Sequence, residues 1–307
     1  MLASDLIEVL CAAHLSWHVD SPFPERGGIM VVGPPGALKS TFLGVLDKQY
    51  HDAVTMSDIN ARGLVDLRDQ ISTGSIRTLV LPELAKVYER AEATAKNVEG
   101  TLRAMTAEGF QAASFEDQRI SRLTAQCMVI AGMTPATREK NNRNWEDTGF
   151  NRRFLWSLIR LSDPEVLVRA VLKWEKINFQ FHHIPRPPVT GTIPYKIHRQ
   201  ESEIIRGWVK YQPGGSSALH VQLMTKILCV LQWWYKQVSP ERSAMGTLGR
   251  FSESLGRQGG EIDIQEMHPT KAQVAGARRK ARKAQVSEAA RELSARAQRK
   301  RKGGAKK

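Results

Sequence analysis

A chain of 307 residues that is 41% hydrophobic and 25% charged is long enough for one large domain or two ordinary ones, and its composition excludes a fibrous or wholly disordered protein. Its net charge of +14 is unevenly placed: residues 271–307 hold fourteen Lys/Arg against two acids, whereas the first 270 hold 31 bases and 29 acids, so a near-neutral body carries a polybasic tail. Apolar stretches shorter than about 18 residues predict no membrane helix, and residues 1–8 carry acids without the basic start of a secretory leader.

Leu2, Leu6, Ile7, Leu10, Ala13 and Leu15 recur at helical spacing and predict an N-terminal helix within residues 1–24, ended by Ser21-Pro22-Phe23-Pro24. The apolar run 28–32, bounded by glycines, predicts a buried strand, and 40–50 a helix. A second strand (53–56), a second helix (63–71) and a third strand (78–81) follow. Residues 84–108 read as one long helix, 118–123 as one arm of a hairpin, 127–131 as a fourth strand and 154–159 as a fifth. Short unbroken apolar strands alternating with helices predict an α/β core over residues 25–165, with a parallel sheet covered by helices on both faces. A helix at 165–176, a proline-rich connector and helices at 196–211 and 218–237 predict a small all-helical domain over 166–245. Within it, Trp233-Trp234-Tyr235 falls at helical spacing and predicts core packing in preference to base stacking. Residues 246–307 read as a flexible linker and a disordered basic tail.

The chemistry concentrates where strands meet helices. Gly33-Pro34-Pro35-Gly36-Ala37-Leu38-Lys39-Ser40-Thr41 joins the first buried strand to a helix, the setting in which backbone N–H groups cradle phosphates. Lys39 is then expected on the β/γ-phosphates and the Ser40 hydroxyl on Mg²⁺, which makes ATP with Mg²⁺ the expected ligand. The residue before the lysine is usually Gly and here is Leu38. The third strand ends in Pro82-Glu83, where two acids are usual; Glu83 stands where a base would polarise an attacking water, and Pro82 offers no metal ligand. Thr134, closing the fourth strand, reads either as a group orienting that water or as the start of a Thr-Pro turn. Asp58 ends the second strand at the same sheet edge and reads either as a helix N-cap or as the acid Pro82 lacks. Arg152-Arg153 precede the last strand, as a solvated basic turn or as an arginine, Arg153 before Arg152, presented to a neighbour's γ-phosphate. The eight histidines show no metal-ligand spacing, and Cys11, Cys127 and Cys229 predict buried thiols in a reducing, cytoplasmic compartment.

The order and spacing of these elements resemble the AAA+ ATPases, and among them the minichromosome-maintenance-like branch and related phage or mobile-element ATPases. In that branch too the residue before the loop lysine need not be Gly. A lysine follows the acid by three residues, as Lys86 follows Glu83, and the arginine finger lies in an Arg-Phe dipeptide, as in Arg153-Phe154. The resemblance covers residues 25–165, with 166–238 as a lid. It departs at Leu38, Pro82 and Thr134, where the family usually has Gly or Ala, Asp, and Asn. It implies a homo-oligomeric ring whose subunits share ATP sites, and a hairpin at 109–120, containing Arg119, that faces DNA in the channel. The tail bases Arg278, Arg279, Lys280, Arg282, Lys283, Arg299, Lys300, Arg301 and Lys302 independently predict sequence-independent, salt-sensitive binding to nucleic-acid phosphates, DNA first, with ribosomal RNA, an acidic protein or a solubilising role as the alternatives. Two functions follow. One is an ATP-hydrolysing motor or remodeller acting on DNA, helicase-like or in replication or mobile-element processing, in a bacterial or phage-infected cell. The other is a slow or inactive nucleotide-dependent switch that brings a partner onto DNA; a DNA-binding structural protein with a degenerate core is a third, minor reading. Leu38 and Pro82 favour the switch; Lys39, Glu83 and Arg153 favour the enzyme.

Overall fold

The computed structural model describes residues 3–37, 39–109, 125–159, 186–188, 191–213 and 217–256. Chain contacts divide the protein into 1–260 and 261–307. The second unit, with all the tail bases, lies outside the described residues, as do Leu38, the hairpin with Arg119 and the 165–176 helix.

Helix α1 (Ala3–Leu15) leads through a short strand β1 (Val19–Asp20) to β2 (Gly28–Val32), whose five residues are all buried. After the glycine-proline turn, the single helix expected at 40–50 is two, α2 (Lys39–Leu43) and α3 (Val45–Gln49), jointed at Gly44 where helix propensity is lowest. Strand β3 (Ala53–Thr55), helices α4 (Ala61–Asp66) and α5 (Arg68–Ser72) and strand β4 (Thr78–Leu81) follow. The long helix expected over 84–108 is instead a 3-10 segment, Leu84–Glu89, and α6 (Glu92–Thr106). They part at Arg90, held extended while its guanidinium binds Asp58 and the Ile59 carbonyl. Strand β5 (Met128–Met133) is followed by α7 (Pro135–Asp147), which has no apolar period and buries only Pro135 and Trp145. Its start is a capping device: the Thr134 hydroxyl accepts from the Thr137 N–H, and Pro135 opens the first turn.

Strand β6 (Phe154–Leu158) completes a parallel five-stranded sheet in the order β3-β4-β5-β2-β6. The expected parallel α/β sheet is therefore present. From β2 the chain crosses to the far edge at β3, returns through β4 and β5, then passes β2 to reach β6. Ligand crevices of open α/β sheets lie where strand order reverses in this way, beyond the carboxyl ends of the strands, here those of β2 and β5.

The helical region is not a separate body. Strand β7 (Ile193–Pro194) pairs in parallel with β1, and helices α8 (Arg199–Val209), α9 (Ala218–Val238) and α10 (Ala244–Gly256) share one hydrophobic core with α1, β2 and β5. Trp234 and Tyr235 are buried there. The linker expected from residue 246 begins no earlier than 257, because Leu248 and Phe251 of α10 are fully buried. Three glycines dilute the apolar signal of α10, and Gly249 is small for a reason: a Cβ there would lie 3.0 Å from the Trp208 ring. Charges lock the arrangement. Arg250 forks onto buried Asp5 with two contacts of 2.8 Å, and Arg242 and Tyr235 bind Glu8.

A second network ties α1 to the amino ends of β3 and β4. His14 Nε2 lies 3.2 Å from Asp52 and its Nδ1 2.9 Å from the Thr78 hydroxyl, while Arg77 Nε lies 3.5 Å from Asp52. Burial works against the Asp52 charge, but the His14 hydrogen bond and the charges of His14 and Arg77 outweigh it and hold the carboxyl below its ordinary value. A depressed carboxyl contributes stability that is complete above its unfolded value, about 3.9, and is lost as pH falls through the lower folded one. Urea midpoints measured from pH 6 to pH 3 should fall below about pH 4, and less steeply in Asp52→Asn.

Candidate functional site

Three strands end on one side of the sheet, β2 and β5 level and β4 two residues short of them. Val32 of β2 and Leu81 of β4 both flank β5, in register with Met133 and Ala131 respectively. Their carboxyl ends open into a cleft of about 460 Å³ lined by Pro35, Gly36, Ala37, Lys39 and Ser40 from the turn, by Pro82, Glu83, Lys86 and Glu89, and by Gly132, Met133 and Thr134. The residues singled out after β2, β4 and β5 thus meet in one place. Of the turn, Thr41 is exposed on α2 beside this group.

The turn is shaped by its own bonds. The Gly33 N–H donates to the Met133 carbonyl at 3.1 Å, extending the sheet by one step, and the Ala37 N–H donates to the Pro34 carbonyl at 3.1 Å. Gly36 has φ +81°, the left-handed region that glycine enters without a Cβ penalty. Lys39 folds back inside the curl, its ammonium donating to the Gly33 and Pro34 carbonyls at 2.8 Å each. Burial lowers its pKa, and the nearby Glu83 charge opposes that shift. An ammonium fixed at the centre of a backbone curl, with the Ser40 hydroxyl exposed next to it, is chemistry suited to a polyphosphate.

Glu83 faces this lysine from the next element. Its carboxylate Oε2 lies 2.5 Å from Lys86 Nζ, and the two side chains are about half exposed. The backbone beneath it is anchored by Gly132, where a Cβ would come within 2.5 Å of the Pro82 carbonyl oxygen and 3.1 Å of Leu43. Gly132→Ala should therefore destabilise the fold by about 1–3 kcal/mol in urea unfolding, the usual cost of overpacking, because the obstruction is backbone and cannot rotate away. Neither Lys86 nor Gly132 was assigned a role from sequence; the three-residue spacing of Glu83 and Lys86 was the available signal.

Of the two readings of Thr134, the structure shows the helix start: its hydroxyl accepts from the Thr137 N–H and lies 2.9 Å from the Thr137 hydroxyl, and the residue also lines the cleft. Asp58 fits neither of its own two readings. The N-cap of α4 is Asn60, which accepts from the Gly63 N–H at 2.7 Å, and Asp58 is ion-paired to Arg90 outside the cleft. Placed outside the cleft, it does not stand where the acid that Pro82 lacks would be needed. Among the described residues no group of three His, Cys, Asp or Glu is placed to hold a metal ion. All three cysteines are free and buried, burial raising the Cys11 thiol to about 12.

Arg153 stands at the opposite end of the strands from the cleft. It immediately precedes β6, which runs parallel to β2, so it lies at the amino ends of the strands while the cleft lies at their carboxyl ends. Its guanidinium donates to the Gly149 carbonyl at 3.2 Å and pairs with Glu108 at 3.1 Å. Arg152 is exposed beside it. A larger cavity of about 870 Å³ among α8, α9 and α10 presents Arg242 and Glu201, the first bound to Glu8 and the second to Gln232. No helix among the described residues is long and apolar enough to cross a membrane.

No family model matches the sequence, and no curated protein matches it. Among solved structures the fold is similar to one of Hsp104, described as a closed-state reconstruction with ATPγS and casein, at 12% identity and a TM-score of 0.36. The match covers 83% of this chain but only 43% of that one. A score of this size leaves the functional reading to rest on the cleft.

Proposed function

We propose that this chain is an ATPase of the AAA+ type that works as an oligomer on DNA. The reading is carried by one observation: the glycine-proline turn with Lys39 and Ser40, the carboxylate of Glu83 and the hydroxyl of Thr134 line a single cleft at the reversal point of a parallel sheet. In this reading the turn's backbone N–H groups and the Lys39 ammonium hold the phosphate chain. The Ser40 hydroxyl would hold the Mg²⁺ that the nucleotide carries, whose charge would offset that of the phosphates. Glu83 accepts the proton of the attacking water, and Thr134 orients that water. Arg153, remote from its own cleft and near the surface, reaches the terminal phosphate in a neighbouring copy. Steady-state ATP hydrolysis measured at several protein concentrations, with and without single- and double-stranded DNA, tests this. Turnover per subunit should rise with concentration; a rate per subunit independent of concentration counts against a shared site.

The second reading, a slow nucleotide-dependent switch, is favoured by specific features: Pro82 contributes no ligand, Asp58 is paired elsewhere, and Glu83 is tied to Lys86. A low turnover with tight ATP binding would select it.

DNA enters through the polybasic tail. Neutralising Z phosphates on duplex DNA gives a log–log salt slope near −0.9Z. Deleting residues 271–307 is expected to weaken DNA binding severalfold or more and flatten that slope, while ATP turnover without DNA survives. If affinity and slope persist in the truncated chain, the 109–120 segment with Arg119 becomes the DNA contact and the tail serves another partner.

A further inference from the structure

We propose that the cavity of about 870 Å³ among α8, α9 and α10 is a second ligand site, for a small organic anion: an apolar body that carries a carboxylate, sulfonate or phosphate. The proposal is independent of the ATPase reading, because no residue of this cavity lines the cleft at the strand ends.

The walls set the kind of ligand. Tyr195 and Ile197, in the stretch that leads β7 into α8, and Met245 at the start of α10 are half-buried and packed on the main core. Their outer surfaces give the cavity an apolar wall, and its volume falls in the range of about 300–1,000 Å³ usual for small-molecule pockets. The wall is also preformed. The Lys196 N–H donates to the Pro194 carbonyl at 3.1 Å, and the Lys196 carbonyl accepts from the Cys229 thiol at 3.4 Å. Arg242 is held by Glu8, and the Ser243 hydroxyl accepts from the Gly246 N–H at 3.0 Å. A ligand therefore enters without first ordering the backbone around it.

Charge sets the sign. Three cations, Lys196, Lys236 and Arg242, line the cavity against one carboxylate, Glu201. That acid is engaged by the protein's own donors: its Oε2 accepts from the His198 N–H at 2.8 Å and its Oε1 from the Gln232 amide at 2.6 Å. Arg242 is likewise committed to Glu8. Lys196 and Lys236 are exposed, and neither ammonium has an acid partner among the described residues. A cationic ligand would meet three positive charges and an occupied acid. An anionic one meets two ammonium groups beside an apolar wall.

The experiment titrates the full chain with 8-anilinonaphthalene-1-sulfonate, followed by its fluorescence, and with N-phenyl-1-naphthylamine, the same rings without the sulfonate. The sulfonate is expected to saturate at one site per chain and to bind at least about fivefold more tightly than the neutral compound. Lys196→Glu/Lys236→Glu should weaken sulfonate binding about tenfold and leave the neutral compound within about twofold. Lys196→Arg/Lys236→Arg should keep the wild-type affinity. Both lysines are exposed, so the variants should fold as the wild type does, which circular dichroism and the urea midpoint check. Absence of saturable binding, or equal affinity for the two compounds, would overturn the proposal. So would undiminished sulfonate binding in the charge-reversed variant, which places the probe on the polybasic tail, or its displacement by ATP, which places it in the cleft.

Discussion

Lys39→Ala is expected to weaken ATP binding about a hundredfold or more, the loss of two or three charge-assisted hydrogen bonds from a half-buried site. Two effects add. The cation facing the phosphate chain disappears, and the Gly33 and Pro34 carbonyls lose the donor that now holds the turn in its curl at 2.8 Å. Lys39→Arg should not rescue the variant, because a planar guanidinium cannot place one compact charge on both carbonyls within the same curl. Calorimetric titration with ATP measures the effect directly. Overall stability should change little, since Lys39 is only partly buried and outside the main core. An unaltered ATP affinity would remove the phosphate-binding role of the turn.

Glu83→Gln and Arg153→Ala should each abolish most turnover by different routes. Removing a general base costs about 10²–10⁴ in rate, and removing a trans arginine about 10³–10⁵. Neither should release ATP: Glu83 is half exposed and bonded to Lys86, and Arg153 lies at the opposite end of the strands. Both variants should therefore bind ATP within a fewfold of the wild type. The decisive measurement is a mixture of the two inactive proteins. In an oligomer, a subunit with intact Glu83 meets a neighbour with intact Arg153 at some interfaces, so part of the activity returns. A mixture as inactive as its components would leave Arg153 a structural arginine, held by Gly149 and Glu108 alone.

The two kinds of error in the sequence reading have separate physical causes. Helices were missed where the apolar signal is absent or diluted. Helix α7 is polar along nearly its whole length and is started by Thr134 and Pro135, while α10 spreads three core residues, Ala244, Leu248 and Phe251, among three glycines. Helices were run together where only a local break divides them, at Gly44, at Leu67 (which splits the helix expected over 63–71 into α4 and α5) and at Arg90. Asp58 was misjudged for another reason: its partner, Arg90, is distant in sequence and adjacent only once β3 and β4 pair.

By itself the sequence determined that buried apolar runs alternate with helices, hence a parallel sheet, and that a glycine-proline turn with Lys39 and Ser40 follows the first of them. Both are local facts, written in runs of neighbouring residues. Only the tertiary structure decided that β5 lies between β2 and β4, and this order brings Glu83 and Thr134 to the turn, while the parallel pairing of β6 with β2 leaves Arg153 at the opposite, amino end of the strands. It also decided that the helices after residue 193 close on α1 in one core with the sheet, where a separate domain was expected. The physical reason is that apolar periodicity encodes which face a segment must bury, but not which other segment will bury it.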